Sequence, residues 1–300
     1  MERFDNLRDA LKAKGVTITE EQEKEFLRAC QRDLEYVPKI GIFGKTGAGK
    51  SSLCNALFGS DVCDVSDVEA CTRKFTEHNI GGLVLVDCPG LAESEEKDKE
   101  YKNEYFKLIP KLDAIFWVLK GDDRAYQPDL EFYEKIKDKI KSPIFFVVNQ
   151  VDKIEPFREW DEEHHQPGPK QAQNITKRLE YVAAVFNVAP SKVIDVSAAE
   201  SYHLIRLLNE LMSALPSQKV VNVFSNTTVK MQKSQQLQNK AKEQYKKSIK
   251  KHAENTFKNH TEKTSGLWDF ITDAAIEFVP SFLPSPIQET ARRFLRWWLK

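Results

Sequence analysis

The sequence predicts an α/β fold in which helices cover both faces of a doubly wound parallel sheet. Two observations carry this expectation. Three short apolar runs, Leu83–Asp87, Ala114–Leu119 and Ile144–Asn149, are rich in β-branched and aromatic residues. Such continuous runs are typical of parallel strands buried on both faces. Helical stretches at Lys97–Ile109 and Pro128–Ile140 lie between them, and strands alternating with helices build a parallel sheet.

The elements follow in order. Asp5–Lys14 spaces Leu7 and Leu11 one helical turn apart. Thr19-Glu20-Glu21-Gln22 is a capping box that opens a helix to about Tyr36. Val37–Phe43 is a strand entering a glycine-rich turn, and Ser51–Phe58 is the helix that leaves it. A helix at Lys170–Phe186, a strand at Val193–Val196 and a helix at Tyr202–Leu215 complete the pattern. Beyond Gly168 the only glycine is Gly266, and residues 222–262 are polar, rich in Lys and Gln and free of proline, which predicts a long helix or helix pair. Prolines 280, 284 and 286 divide the end of the chain into two short helices. The expected organisation is N-terminal helices over 1–36, an α/β domain over 37–216 and a helical region over 217–300.

With 41% hydrophobic and 30% charged residues, the chain has ordinary globular composition. Its zero net charge is unevenly spread: residues 217–300 hold 15 Lys/Arg against 7 Asp/Glu, a net of +8, so residues 1–216 carry −8. A basic tail points to an anionic surface, a nucleic acid or the acidic body of the same chain; a solvated Lys-rich helix accounts for it equally. Cys30, Cys54, Cys63, Cys71 and Cys88 form no C-x-x-C pair, so neither a disulfide framework nor a zinc site is expected. Scattered thiols suit a reducing cytoplasm. The N-terminus lacks the apolar core of a signal peptide, and no apolar run reaches the roughly 18 residues that span a bilayer.

The chemistry is concentrated at strand ends, where ligands of doubly wound sheets bind. Gly44-Lys45-Thr46-Gly47-Ala48-Gly49-Lys50-Ser51 fits Gly-x-x-x-x-Gly-Lys-Ser and lies between a strand and a helix. In this P-loop pattern the backbone N–H groups wrap phosphates and the following helix directs its positive end at them. Lys50 is expected to reach the β- and γ-phosphates, and Ser51 to coordinate Mg²⁺ beside Ser52. Asp87-Cys88-Pro89-Gly90 closes another strand; in P-loop proteins such an Asp supports the Mg²⁺ shell and such a Gly N–H senses the γ-phosphate. Asn149-Gln150-Val151-Asp152 follows a third strand. The Asp152 carboxylate can accept from guanine N1–H and N2–H₂, donors that adenine lacks, so the expected ligand is GTP or GDP. Asn149 is expected to tie its loop to the P-loop and contact the base edge. Ser197-Ala198-Ala199, after the last strand, places backbone N–H groups near guanine O6.

These motifs, with Thr72, resemble the five motifs of translation-factor-type small GTPases, and their order and spacing are similar to the Era-like (TrmE–Era type) group. Lys45–Phe58, Val65–Arg73, and Asp122–Ala125 with Phe132-Tyr133 resemble the bacterial YfjP/YeeP-type GTPases. The likeness covers roughly residues 37–215. It implies a three-layer P-loop G domain of Ras/Era type, built on a mostly parallel six-stranded sheet, that hydrolyses GTP with Mg²⁺. It makes Lys50, Thr72 and Gly90 the catalytic residues, Ser51, Thr72 and Asp87 the metal residues, and 91–100 switch II.

Two departures stand out. Gln150 replaces the usual Lys, whose stem packs on the base; weaker binding with unchanged specificity is expected. Leu91 stands where Ras-like proteins carry a water-orienting Gln, so intrinsic turnover should be on the order of 10⁻³ s⁻¹ or less. The missing group would come from a partner, from a second copy docking through the G domain, or from a potassium ion; Arg73 and Arg124 are candidate internal cations. His164 and His165 are read as exposed loop residues.

In the tail, Asp269, Asp273 and Glu277 share one helical face, while Arg292, Arg296 and Lys300 share another beside Trp297 and Trp298. Such a segment, 267–300, suits a membrane interface, a protein partner or packing on the G domain. Three readings follow: a slow switch in the cytoplasm whose helical appendage reports nucleotide state, a self-assembling GTPase peripheral to the inner membrane, and an RNA- or ribosome-associated GTPase. The last is weakened because the tail has no Gly-x-x-Gly loop.

Overall fold

The computed structural model describes residues 7–13, 15–59, 75–88, 103–123, 125–257 and 270–273. These form two compact units: one of Pro38–Leu215 with Asn226–Leu237, the other of the described parts of Met1–Val37, Pro216–Ser225 and Gln238–Lys300.

The first unit is built on a six-stranded sheet of order β2-β3-β1-β4-β5-β6. Its strands are β1 (Lys39–Phe43), β2 (Thr76–Asn79), β3 (Val84–Asp87), β4 (Ala114–Lys120), β5 (Ile144–Asn149) and β6 (Val193–Asp195). Only β2 runs antiparallel, against β3. The expected apolar runs are strands within a residue or two of their predicted limits. Strand β2 has no such signal: Thr-Glu-His-Asn is a polar, largely exposed edge. Helices α3 (Lys50–Phe58), α4 (103–108), α5 (Gln127–Ile136), α6 (Pro169–Val185) and α7 (Leu204–Ala214) complete the unit.

Alternate residues of β4 explain why both faces are covered. Ile115, Trp117 and Leu119 join one core cluster with Phe43, Phe146 and Phe186, while Ala114, Phe116 and Val118 are equally buried. Trp117 is the hub of the first cluster, with rings of Phe43, Tyr133 and Phe146 at 5.7, 5.6 and 6.0 Å. Burying large aromatic surface at the sheet centre fixes the strand ends that carry the site.

In the second unit, α1 (Leu7–Lys12) buries Leu7 and Leu11, and α2 (Glu20–Glu35) opens with the predicted capping box. The Gln22 N–H donates to Thr19 Oγ1 at 3.1 Å, and the Thr19 N–H donates to Gln22 Oε1 at 2.9 Å. Within 222–262 the expected long helix is α10 (Gln235–Thr256), and a short helix, α9 (Val229–Gln232), precedes it. A further helix, α8 (Ser217–Ser225), comes before α9, and the chain breaks between the two. The break arises because Thr228 caps a new helix by accepting from the Met231 N–H, and the Asn226–Leu237 stretch joins the sheet unit. Helix α10 buries Ala241, Tyr245, Ile249 and Ala253, one residue per turn. Asp33 of α2 receives His252 Nε2 of α10 at 2.7 Å and the Ser248 hydroxyl. Of the predicted tail segment 267–300, only 270–273 lies within the described residues, as helix. No helix among the described residues is long and apolar enough to cross a membrane.

Candidate functional site

The predicted phosphate turn leaves β1 at Phe43 and enters α3 at Lys50. Gly44, Gly47 and Gly49 have φ of +132°, +80° and +85°, conformations that glycine adopts without a Cβ penalty. Gly44 is doubly constrained, since a Cβ there would lie 2.1 Å from the Val118 carbonyl oxygen of β4. Ala48 is buried, Ser51 half-buried, and Thr46, Gly47 and Ser52 are exposed. Lys50 is buried, and its Nζ donates to the Gly44 and Lys45 carbonyls at 3.0 and 3.2 Å. Lys45 turns the other way, to the loop after β4: its Nζ donates to the Ala125 carbonyl at 2.5 Å and to Asp123 Oδ2 at 3.2 Å, and lies 3.7 Å from Asp129 Oδ2. Asp129 is buried and accepts from Trp117 Nε1 at 3.0 Å. Burial holds its carboxyl above the usual carboxylate value despite those partners.

Asn149, buried at the end of β5, joins three loops. Its Nδ2 donates to the Ala48 carbonyl at 3.0 Å and to the Gly49 carbonyl at 3.3 Å, and its Oδ1 accepts from the Ala198 N–H at 3.1 Å. The Ala198 N–H expected near the ligand is therefore engaged by Asn149. Ser197 is fully buried, and its Oγ accepts from the Glu200 N–H at 3.2 Å. Gln150 adopts φ +61°, and its Nε2 donates to the Gly47 carbonyl at 3.0 Å while Oε1 accepts from Lys153 Nζ at 3.1 Å. Asp152 is half-buried, and its Oδ1 is buried with no hydrogen-bond partner. Leaving such an acceptor unmet costs about 1–3 kcal/mol.

Asp87 is buried at the tip of β3, opposite Ile42 of β1. The next residue, Cys88, is also fully buried; burial, with the neighbouring Asp87 charge, pushes its thiol far up, leaving it a protonated core residue. Asp195 is held by His203 Nδ1 at 3.1 Å and Arg206 at 2.9 Å. His164 and His165 are exposed, beside Asp161 at 2.8 Å and Glu200 at 2.7 Å. Thr72, Gly90, Leu91, Arg73, Arg124 and residues 91–100 lie outside the described residues.

The family described as 50S ribosome-binding GTPase matches residues 39–150. Protein YkfA of Escherichia coli K12 is 38% identical over 208 residues, covering 67% of this chain and 70% of YkfA. YfjP of the same organism is 39% identical over 202 residues, covering 64% and 67%. The chain belongs to the YkfA/YfjP family of Era-like GTPases. GTPase Era of Clostridium botulinum is 25% identical over 182 residues, covering 59% of this chain and 55% of Era.

As an Era-like GTPase the chain keeps a glycine turn, a strand-end aspartate and an Asn-x-x-Asp loop, and it meets its Gln150 departure with a local solution. The amide supplies the hydrogen bond to the P-loop, and Lys153 brings a cation to its far end. Three features of this YkfA/YfjP-family site were not read in the sequence: the Lys45–Asp123 link, the Thr228 N–H donated to the Leu57 carbonyl at 3.0 Å, and Gln171, whose Nε2 donates to the Asp152 carbonyl at 3.0 Å. A signal existed for the last. Gln171 occupies the apolar stripe that α6 continues with Ile175 and Val182, and a polar residue on a buried face calls for a partner.

Proposed function

We propose that this GTPase is a slow guanine-nucleotide switch whose helical unit reports which nucleotide is bound. The observation that carries the reading is the strap of residues 226–237. The Thr228 N–H donates to the Leu57 carbonyl, in the last turn of the P-loop helix, at 3.0 Å. Asn226 lies against the β2–β3 turn, 3.1 Å from a Cβ placed on Gly81. Leu57 leads into residues 60–74, which contain Thr72, and the β2–β3 turn follows them. The strap belongs to the sheet unit, yet it is covalently continuous at both ends with α8 and α10 of the other unit.

In this reading the backbone N–H groups of residues 47–51 receive the phosphates. Lys50 exchanges its two carbonyl partners for the β- and γ-phosphate oxygens. Asp152 accepts from guanine, meeting its unpaired oxygen, while Asn149 holds the base loop against the P-loop. Ser51 and Asp87 present hard oxygen donors of the kind Mg²⁺ takes together with phosphate oxygens and water; Thr72 and Gly90 would complete the set. Mg²⁺, when bound, neutralises charge on the β- and γ-oxygens. Water adds its oxygen to the γ-phosphorus and gives up a proton to solvent, the bond to the β–γ bridging oxygen breaks with its electron pair staying on GDP, and GDP and inorganic phosphate leave.

Hydrogen exchange with GDP and with a non-hydrolysable GTP analogue tests the switch. Altered protection across 226–232, α8 and α10 between the two states is expected. Identical exchange there, with both nucleotides bound, would overturn the reporting role. Turnover in sodium and in potassium across a hundredfold protein concentration locates the missing catalytic group. A steep rise with concentration indicates a second copy, a response to potassium indicates the ion, and flat slow rates indicate another partner.

A further inference from the structure

We infer that Gln171 is a positioning residue for base recognition: from inside α6 it holds the turn that carries Asp152. This rests on the reading of Asp152 as the guanine acceptor. The side chain of Gln171 is completely buried. Its Nε2 donates to the Asp152 carbonyl at 3.0 Å and to the Ile154 carbonyl at 2.8 Å. Both protons of the amide are thus spent on the single turn Val151–Lys153 and its exit. One helical turn later, Asn174 Nδ2 donates to the Glu155 carbonyl at 2.8 Å. Two amides spaced i, i+3 on one helix face therefore meet three nearby carbonyls of the base loop.

The helix is itself anchored to the segment that follows the turn. Glu159 Oε2 accepts from the Lys170 and Gln171 N–H groups at 2.9 and 3.1 Å, and the Glu159 carbonyl accepts from the Gly168 N–H at 2.9 Å. The arrangement carries a cost. Gln171 Oε1 is buried without a partner, and rotating the amide to satisfy it would bring that oxygen against two carbonyl oxygens. An apolar residue in this stripe would avoid the unmet acceptor. The two bonds to the turn are what the glutamine supplies in return. They act on the backbone of Asp152, so they bear on where its carboxylate stands and leave the phosphate site to other residues.

The test compares affinities for GDP and IDP, which differ by the 2-amino group, in wild type and Gln171→Met, which keeps the side chain's length and suits the apolar stripe but removes both donors. A charged hydrogen bond is worth about 1.5–3 kcal/mol, so wild type should prefer GDP by roughly 10- to 150-fold. In Gln171→Met the preference should fall by about tenfold or more, with faster amide exchange at Lys153 and Ile154. A purely structural glutamine would weaken both ligands together and leave the ratio unchanged, which would overturn the proposal. A wild-type ratio near one would instead refute the Asp152 reading itself. If Gln171→Met does not fold, the wild-type side-chain amide protons of Gln171 are followed by NMR. Coupling is reciprocal, so GDP should slow their exchange more than IDP does at saturation; equal slowing contradicts the proposal.

Discussion

The Asn149 side chain donates to the Ala48 carbonyl at 3.0 Å, so the end of β5 and the phosphate turn are one hydrogen-bonded assembly. Its other end accepts from the Ala198 N–H at 3.1 Å. Removing the side chain strands these groups in a buried place. Asn149→Ala should lower stability by about 1–3 kcal/mol and weaken GDP binding, because the base loop and the phosphate turn lose their common reference. Thermal melting and GDP titration check both effects.

Gly49 makes the same contact falsifiable from the opposite side. Its φ is +85°, and a Cβ there would lie 2.3 Å from Asn149 Nδ2. Gly49→Ala should therefore cost about 1–2 kcal/mol for the left-handed backbone, plus the displacement of Asn149. Residues in contact are not additive. In an Asn149→Ala background the clash is gone, and Gly49→Ala should cost measurably less. A double-mutant cycle with zero coupling would remove the contact from the account.

Asp152→Asn tests the base. The carboxylate accepts from guanine N1–H and N2–H₂, whereas an amide can donate to the C2 carbonyl of xanthine. The variant should lose GDP affinity by roughly 100-fold or more and gain affinity for XDP, as expected when a charged hydrogen-bonding pair is mismatched in a buried site. Competition titrations with GDP and XDP measure the exchange.

Asp195 predicts a pH effect. Burial raises its pKa, but the His203 hydrogen bond and charge, with Arg206, bring the net value below the ordinary 3.8. A depressed carboxylate stabilises the fold fully above its unfolded pKa, and that contribution fades as pH falls through the folded value. Asp195→Asn should thus melt lower than wild type at pH 7, and the difference should narrow as pH drops below about 4. Melting curves from pH 7 to pH 2 give the comparison.

Most of the sheet was legible because buried parallel strands leave continuous apolar runs, and the turn after β1 was legible because the positive φ of Gly44, Gly47 and Gly49 demands glycines at fixed spacings. What escaped lacked those signatures. Strand β2 is an exposed polar edge whose side chains meet no core. The break before α9 occurs without proline or glycine; it comes from Thr228, whose hydroxyl caps a new helix, and the preceding polar Asn226-Thr227 was the available clue. Gln171 was visible only as a polar residue in an apolar stripe. Its two carbonyl partners, 17 and 19 positions away in sequence, have no local pattern.

The most direct measurement is multiple-turnover hydrolysis of GTP and ATP, in Mg²⁺, by wild type and Lys50→Ala. The account predicts GTP turnover on the order of 10⁻³ s⁻¹ or less, ATP at background, and no turnover by Lys50→Ala. Equal hydrolysis of ATP and GTP, or wild-type rates from Lys50→Ala, would contradict it.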